Sequence, residues 1–395
     1  MYHYSQSHCK AAASLSKCRH AASERNTIMK AAKYILLTFF SILMVLPGTA
    51  CSDKNDSEIR KAVSAELDPL KGLSPDEAYS YLTQAGLFDD PDWFTGTSAA
   101  EQVKDVFSMF FKGFNFEYKS AEVSENGQSA NASVVLKTID AESLAKDFAS
   151  SALRESVEQT ASGSSTSMNA EDRFLLLNHL LKTREYKFIE SDRTIPLTKN
   201  DGKWTVKHTS SLENQLVGGL VTCLSDPFIL TPNETLDITL NTVRKMSTAD
   251  LSNYLGITEL KSQADDAMRK IYDATAEQVH DHFDYEILES NADGNTASVN
   301  TRITSFDSDS IMENYHSQMN QYLATADAVI DGADVRLKYS EDLLLKCITE
   351  NTSVKDTEIT VDMTNDGFNW KITNPEDIGE ALFGSIQIED DYSEE

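Results

Sequence analysis

The chain has 395 residues, of which 40% are hydrophobic, and a formal net charge of −28, so it can form two domains of ordinary size. Residues 1–50 contain six basic residues and one acid, which leaves 29 basic and 62 acidic residues, or a charge of −33, in the rest of the chain. Such a surface repels nucleic acid and bare anionic membrane, because both are bound through Lys and Arg that neutralise phosphates. We therefore expect no nucleic-acid partner.

Residues 29–50 have the three parts of a secretory signal peptide. Lys30 and Lys33 form a positive start, an apolar run extends over Tyr34–Leu46, and small residues follow it. The run is shorter than the roughly 20 apolar residues that a bilayer-spanning helix needs. We predict an exported protein, with residues 1–28 as an extension upstream of the true start.

The segment LPGTAC, which ends at Cys51, resembles a bacterial lipobox, although Gly48 replaces the usual aliphatic residue three positions before the cysteine. The resemblance implies that Cys51 is lipid-modified and anchors the protein at the extracytoplasmic face of the cell membrane. Ordinary signal peptidase would cut at the same bond, so a secreted protein is the alternative. The polar residues 51–58 predict a tether without regular structure.

Two copies of one domain are predicted from matches at a nearly constant spacing. At an offset of 167 without a gap, Phe116-Glu117-Tyr118 matches Phe283-Asp284-Tyr285, Gly127 matches Gly294, Ala130 matches Ala297 and Asp140 matches Asp307. At an offset of 166, Trp204 matches Trp370, Leu216 matches Leu382 and Gly218 matches Gly384. We predict copy one over 59–222, a linker over 223–232, copy two over 233–388 and an acidic tail over 389–395.

Each copy is predicted to contain helices, a β-hairpin, two helical stretches, a second hairpin and a closing helix. In copy one these are Ser74–Gln84, Ala99–Phe111, a hairpin over Phe116–Leu136, Ala141–Glu158, Ala170–Arg184, a hairpin over Tyr186–Thr209 and Ser211–Leu220. In copy two they are Asn233–Met246, Thr258–His280, a hairpin over Phe283–Ile303, Ser308–Asp331, Ser340–Glu350, a hairpin over Asp356–Thr373 and Pro375–Ile386. Apolar residues that alternate with period two, together with Asn/Asp-Gly turns, indicate the hairpins.

These elements predict an α+β fold of two tandem repeats, each a curved, cone-like antiparallel sheet of about four strands packed against helices. The export segment, the F-x-Y…G…D pattern and the D-G-x-W turn are similar to those of exported lipoproteins of Gram-positive bacteria that carry tandem domains of unknown function. The resemblance implies a relation to the nuclear transport factor 2-like or cystatin-like superfamily. That superfamily includes binding proteins, enzymes and dimerisation modules, so it assigns no function.

Few residues outside the export segment suggest chemistry. Cys223 and Cys347 could form a disulfide between the copies in an exported protein, and two buried free thiols are the alternative. Asp140 and Asp307 each precede a helical pattern, which predicts N-caps and leaves a catalytic pair as the alternative.

The triplet His280-Asp281-His282 has the side chains of a metal site, but residues two apart on a helix point away from each other. We expect no metal and no cofactor. Trp204 and Trp370 are predicted core residues, with sugar or peptide stacking as the alternative.

We expect a non-enzymatic surface protein that binds a small ligand or an envelope protein through its tandem domains. This hypothesis predicts an apolar pocket without converging ionisable groups. The alternative is a structural or assembly role in the cell envelope, which predicts filled domain interiors and an exposed apolar patch. An isomerase- or dehydratase-like enzyme is a third alternative and would need a buried His/Asp pair.

Overall fold

The computed structural model describes residues 51–84, 99–164 and 168–386. The predicted start extension, signal peptide and acidic tail lie outside the described residues. The chain divides into two compact units, 1–59 and 60–395. The described residues of the first unit belong to a helix, and the fold described below is that of the second unit.

Helix α1 covers the segment for which the sequence predicts an irregular tether. It runs over Cys51–Leu67, so residues 51–58 are helical. Neither Gly nor Pro interrupts the segment, so a helix can extend through it. Cys51 is the first residue of α1, and its lipid modification stays a prediction.

The first domain contains the elements that precede residue 225. In order they are α1, a 3-10 turn (Asp68–Leu70), α2 (Pro75–Gln84), α3 (Ala99–Lys112), β1 (Asn115–Val123), β2 (Ser129–Ile139), α4 (Ala141–Ala161), α5 (Ala170–Thr183), β3 (Phe188–Asn200), β4 (Lys203–Val206), α6 (Ser210–Leu216) and α7 (Leu220–Leu224). Helix α4 begins at the predicted cap, because the Asp140 carboxylate accepts a hydrogen bond from the backbone N–H of Ser143.

The second domain has the same order of hairpins, with a different number of helices before, between and after them. Its elements are α8 (Pro232–Arg244), α9 (Thr248–Tyr254), α10 (Ile257–Gln263), α11 (Asp266–His282), β5 (Asp284–Asp293), β6 (Thr296–Phe306), α12 (Ser308–Leu323), α13 (Ala326–Ile330), α14 (Ala333–Thr349), β7 (Val354–Asn365), β8 (Trp370–Ile372) and α15 (Pro375–Phe383). The predicted cap at Asp307 is confirmed, since its carboxylate accepts from the N–H of Ser310.

Each domain has a four-stranded antiparallel sheet, in the orders β1-β2-β3-β4 and β5-β6-β7-β8. Both sheets are open and bury one face. This confirms the predicted α+β class with antiparallel sheets of four strands packed against helices.

Period-two alternation decides which face of each sheet is buried. Alternate residues of the two long inner strands are fully shielded from solvent. They are Ala132, Val134 and Leu136 in β2 and Val299, Thr301 and Ile303 in β6. At the edge strand β1, Phe116 and Tyr118 are half-buried, and the cations of Lys71 and Arg60 lie 4.6 and 4.8 Å from the centres of these rings. The inner faces of the sheets are therefore filled by side chains.

The strand register relates the central strands of the two sheets by the predicted offsets. Ala132 in β2 lies opposite Ile195 in β3. The offset of 167 takes Ala132 to Val299, and the offset of 166 takes Ile195 to Val361. Val299 and Val361 lie opposite each other in β6 and β7. Residues that the offsets relate thus occupy equivalent positions in the hydrogen-bonded ladders of the two sheets.

The first hairpin corrects the ungapped match of the sequence analysis. Its register is interrupted by a bulge at Tyr118/Ser120 in β1 and at Ile287/Glu289 in β5. The two bulges are related by an offset of 169, so the offset of 167 between β2 and β6 does not hold for β1 and β5. Phe116 corresponds in space to Tyr285, not to Phe283. The offsets of 169 and 167 differ by an even number of residues. Because side chains alternate between the two faces of a strand, the same face stays buried.

The two domains share a hydrophobic core through helix α4. Leu153, Val157 and Ala161 of α4 pack into the core of the second domain, where they join Leu236 and Leu240 of α8. The predicted boundary separates the two domains along the chain, but residues from both sides of it pack in this one core.

The predicted linker packs against the second domain instead of forming a flexible connection. The side-chain amide of Asn365 donates to the backbone oxygen of Pro227 at 2.7 Å. The ring of Phe228 meets that of Trp370 edge to face, with 5.9 Å between their centres. The first part of the predicted linker, Cys223 and Leu224, belongs to α7.

The single helix predicted over Ser308–Asp331 is wrong, because the structure divides it. Helix α12 ends at Leu323, and the Thr325 side chain caps the separate helix α13 by accepting from the N–H of Ala328. Thr is a favourable N-cap, so it offers the chain an alternative to a continuing helix. Helix α14 begins at Ala333, well before the predicted Ser340.

The predicted helix Thr258–His280 is divided in a similar way. Its two parts are α10 and α11, and the Asp265 carboxylate caps the second part by accepting from the N–H groups of Ala267 and Met268. Within the described ranges, no helix is both long and apolar enough to cross a membrane.

Candidate docking site

The two cysteines considered for a disulfide are free thiols in the structure. Cys223 lies on α7, where burial raises the pKa of its thiol, with a further contribution from Glu142. Cys347 is buried on α14 in the core of the second domain, and the side-chain amide of Gln318 donates to its sulfur at 3.8 Å. The bridge considered from sequence is therefore not formed.

The triplet His280-Asp281-His282 occupies the last turn of α11. His280 and Asp281 are exposed, and His280 Nδ1 lies 2.9 Å from a carboxylate oxygen of Asp281. Two histidines in this turn suit the negative end of the helix dipole. In the part of the chain that the structure describes, no three His, Cys, Asp or Glu side chains converge as a metal site would require.

The two tryptophans are core residues, as predicted. Trp204 and Trp370 are 6% and 4% exposed and stand on the equivalent strands β4 and β8. The ammonium group of Lys199 lies 5.2 Å from the centre of the Trp204 ring. Neither indole is available to stack on a ligand in solution.

Two cavities among the described residues are open grooves, not enclosed apolar pockets. One, of about 330 Å³, lies between α4 and the α8–α9 corner, and its charged lining residues are Arg154, Glu158, Lys245 and Asp250. Another, of about 410 Å³, follows β7 and α15 and includes Lys355, Asp362, Asp377 and Glu380. Both grooves carry charges of both signs. This is not the lining that the ligand-binding hypothesis predicts.

A buried carboxylate of the first domain was not predicted from the sequence. Glu213 on α6 is fully shielded from solvent, and one of its oxygens lies 2.8 Å from Nδ1 of His208. The other ring nitrogen of His208 lies 3.4 Å from Glu66 of α1. Burial raises the pKa of the Glu213 carboxyl. Burial, together with Glu213 and Glu66, raises the pKa of Tyr81.

This cluster links three elements of the first domain, α1, α2 and α6, through groups distant in sequence. Only the His208–Glu213 pair is local enough to be noticed in a sequence, and its spacing corresponds to no motif. Glu213 is enclosed and bonds His208 through one carboxylate oxygen, while its other oxygen and the Tyr81 hydroxyl are buried without a hydrogen-bond partner among the described residues.

One end of the α12–α14 hairpin exposes a group of apolar side chains. We call residues 322–339 the apolar tip. Its exposed large side chains are Leu323, Val329, Ile330, Val335, Leu337 and Tyr339. Val329 and Ile330 have 80% and 81% of their surface in solvent. Scattered exposed apolar residues are ordinary, but six within one short segment make the apolar tip a candidate interaction surface.

Hydrogen bonds and a ring stack hold the apolar tip in place. The rings of Tyr322 and Tyr339 stack with 3.9 Å between their centres. The Tyr322 hydroxyl donates to Asp331 at 2.6 Å, and this bond raises the pKa of Tyr322 to about 12. One guanidinium nitrogen of Arg336 donates to the backbone oxygens of Ala328 and Asp331, each at 3.1 Å. An ordered support reduces the entropy lost when a partner binds.

The sequence predicts a helical stretch over Ser308–Asp331, a second one from Ser340 and no element over 332–339, so the apolar tip was not predicted. A signal was present in the spacing. Val335, Leu337 and Tyr339 are two residues apart, so on a helix they cannot all lie on the stripe that faces a core. Apolar residues that leave the helical stripe are the pattern that would have indicated an exposed surface.

Comparisons with known proteins add little to this site. Neither a protein-family model nor a curated protein matches this sequence. Among solved structures, the chain is similar to the crystal structure of a “putative lipoprotein (ycdA)” from Bacillus subtilis, with 8% sequence identity and a TM-score of 0.25. The match covers 68% of this chain and 94% of the other. A likeness this weak carries no argument about function, and the resemblance to nuclear transport factor 2-like domains stays a prediction.

Proposed function

We propose that this protein is an exported, non-enzymatic protein of the cell envelope, anchored by a lipid on Cys51, which docks a protein partner through the apolar tip. The secreted form, without lipid, is the alternative localisation. Binding of a small ligand inside the domains is less well supported, because side chains fill the inner faces of both sheets.

The proposal includes a tandem duplication of one domain. Three features support it: the nearly constant offset of the central strands, the bulge at the same point of each first hairpin, and the capping aspartate after each first hairpin. The apolar tip lies in the second copy. A duplicated domain leaves one copy free to keep its structural role while the other acquires a binding surface.

The observation that carries the proposal is the exposure of six apolar side chains on an ordered support. An exposed aliphatic side chain such as Val329 or Ile330 forgoes about 1.5–3 kcal/mol relative to a fully buried one. A partner that covers Val329 and Ile330 would recover part of that free energy. The alternative, a structural or assembly role in the cell envelope, also predicts filled domain interiors and an exposed apolar patch, so the two hypotheses share this surface and differ in the partner it contacts.

The anchor is tested by the intact mass of the mature protein from its native host. A diacylglyceryl-modified Cys51 as the first residue supports the proposal. An unmodified Cys51 in the medium contradicts the anchor and leaves a secreted protein. A chain that begins at Met1 or Met29 contradicts export itself.

The docking function is tested by crosslinking on intact cells with a membrane-impermeant reagent. We expect the double variant V329S/I330S to lose a crosslinked species that the unchanged protein forms. The matched control is F368S, because Phe368 is also apolar and 85% exposed but lies in the turn between β7 and β8. A crosslinked species that survives V329S/I330S and disappears in F368S would place docking elsewhere.

A further inference from the structure

The polar residues of the apolar tip and of the helix turn that follows it are mostly acidic. Between positions 322 and 342 the sequence has five acids and two bases. The acids are Asp327, Asp331, Asp334, Glu341 and Asp342. One of the bases, Arg336, is half-buried and donates to backbone oxygens inside the tip. The other base, Lys338, is exposed, so acids outnumber bases around the exposed apolar side chains but are not alone there, in a chain that carries −33 after residue 50.

We propose that the partner of the apolar tip is a protein with an apolar cleft whose rim carries Lys and Arg. This inference rests on the proposed function, since it names the chemistry of the partner that the function requires. Val329 and Ile330 are the anchors that enter the cleft, and the exposed carboxylates of Asp327 and Asp334 face its basic rim. Complementary charge around an apolar centre is the usual arrangement of a specific interface.

Charge also argues against two other occupants. A second copy of this chain would bring the exposed Asp327 and Asp334 of two strongly acidic chains together, and like charges facing each other across an interface are unfavourable. A lipid surface would take the apolar side chains, but elements that lie in a membrane interface carry Lys and Arg on their polar face. The polar face here is acidic and is repelled by anionic lipid.

The two kinds of residue have separate effects on the kinetics of docking. Charges around an interface mainly change the association rate, and buried apolar contacts mainly change the dissociation rate. Asp327 and Asp334 therefore accelerate association at low ionic strength, and Val329 and Ile330 prolong the complex. Salt screens the charges, so it lowers the association rate and leaves the dissociation rate unchanged.

The experiment places the photoreactive residue p-benzoylphenylalanine at position 330 of the full chain in its native host. Intact cells are irradiated, and the partner peptide attached to position 330 is identified by mass spectrometry. The control carries the same photoreactive residue at position 368. We expect position 330, and not position 368, to give an adduct whose peptide contains apolar residues flanked by Lys or Arg.

Charge is tested in the same cells with the double variant D327N/D334N. We expect it to lower the adduct yield about three- to tenfold at low ionic strength. The matched control, E122Q/E125Q, removes two exposed acids at the first hairpin and should leave the yield unchanged. Circular dichroism of each purified variant confirms that it is folded.

The possible failures separate the inference from the proposed function. A partner peptide without basic residues, or a yield unaffected by D327N/D334N, overturns the inference and leaves docking through the tip intact. An adduct of this chain with itself or with lipid overturns the basic protein partner in favour of that occupant. If position 330 gives no more adduct than position 368, both the docking function and the inference fail.

Discussion

Single residues after the fourth strand distinguish the two domains. Glu213 is buried beside His208 in the first domain. At the offset of 166, these positions are occupied by Gly379 and Asn374. The amide of Asn374 bonds backbone groups of β7, accepting from the N–H of Asp362 and donating to the oxygen of Thr360. The first domain thus has the ionisable pair His208–Glu213 at positions where the second domain has the neutral amide of Asn374 and a glycine.

The buried carboxylate makes stability depend on pH. The pKa of Glu213 is raised above 4.5 in the folded protein, so the folded state binds this proton more tightly than the unfolded state. Its contribution to the free energy of unfolding is present below pH 4.5 and is lost as the pH rises through the raised pKa. As the pH rises through this range, we expect the free energy of unfolding of E213Q to fall less than that of the unchanged protein.

Urea unfolding at a series of pH values from 4.5 upwards measures this difference. The control is E125Q, because Glu125 is an exposed carboxylate in the loop of the first hairpin. The E125Q curve should follow that of the unchanged protein. Parallel curves for E213Q and the unchanged protein would show that Glu213 is not the group that titrates.

At the scale of elements, a glycine lets each closing helix approach the helix that follows the first hairpin. A side-chain carbon at Gly218 would lie 2.8 Å from the backbone oxygen of Ile139 and 3.2 Å from the Ala141 side chain, at the start of α4. In the second domain, a side-chain carbon at Gly384 would collide with Ser308, at the start of α12. Both glycines have positive φ. The two glycines thus make the same close approach at matching positions of the two domains.

The neighbouring Gly219 provides a matched test of that contact. Gly218 and Gly219 both have positive φ, but a side-chain carbon at Gly219 would meet no atom within 4 Å. We expect G219A to cost about 1–2 kcal/mol for the left-handed backbone alone. G218A should cost about 2–5 kcal/mol, because overpacking adds about 1–3 kcal/mol. Urea unfolding of the two variants gives the comparison, and equal losses would mean that the close approach does not contribute.

Sequence reasoning succeeded for elements with a strong local signal. Period-two alternation in β2 and β6 and the aspartates before α4 and α12 gave the sheets and two helix starts. It failed where a local signal competed with a longer pattern, as at Thr325, whose cap divides a predicted helix. It also failed for contacts between distant segments, such as that of Glu66 with His208, because residues so far apart in the sequence form no local pattern.

At the scale of the whole molecule, a shared hydrophobic core connects the two domains, not a flexible hinge. Helix α4 belongs to the first domain by sequence and connectivity, yet Leu153, Val157 and Ala161 complete the core of the second. An ion pair between Lys146 of α4 and Glu234 of α8, at 2.9 Å, lies beside this contact. The apolar tip is therefore carried by a domain whose stability depends on the first domain.

A charge placed in the shared core should destabilise the second domain from a position in the first. Val157 is buried, so V157D would leave an unpaired carboxylate in apolar surroundings, and the loss should be several kcal/mol. We expect faster hydrogen exchange of the backbone amides of α8, β6 and β7. The control is S156D, which adds the same charge at the exposed neighbouring position of α4. If V157D accelerates exchange only in the first domain, the domains fold independently and α4 is not a structural part of the second.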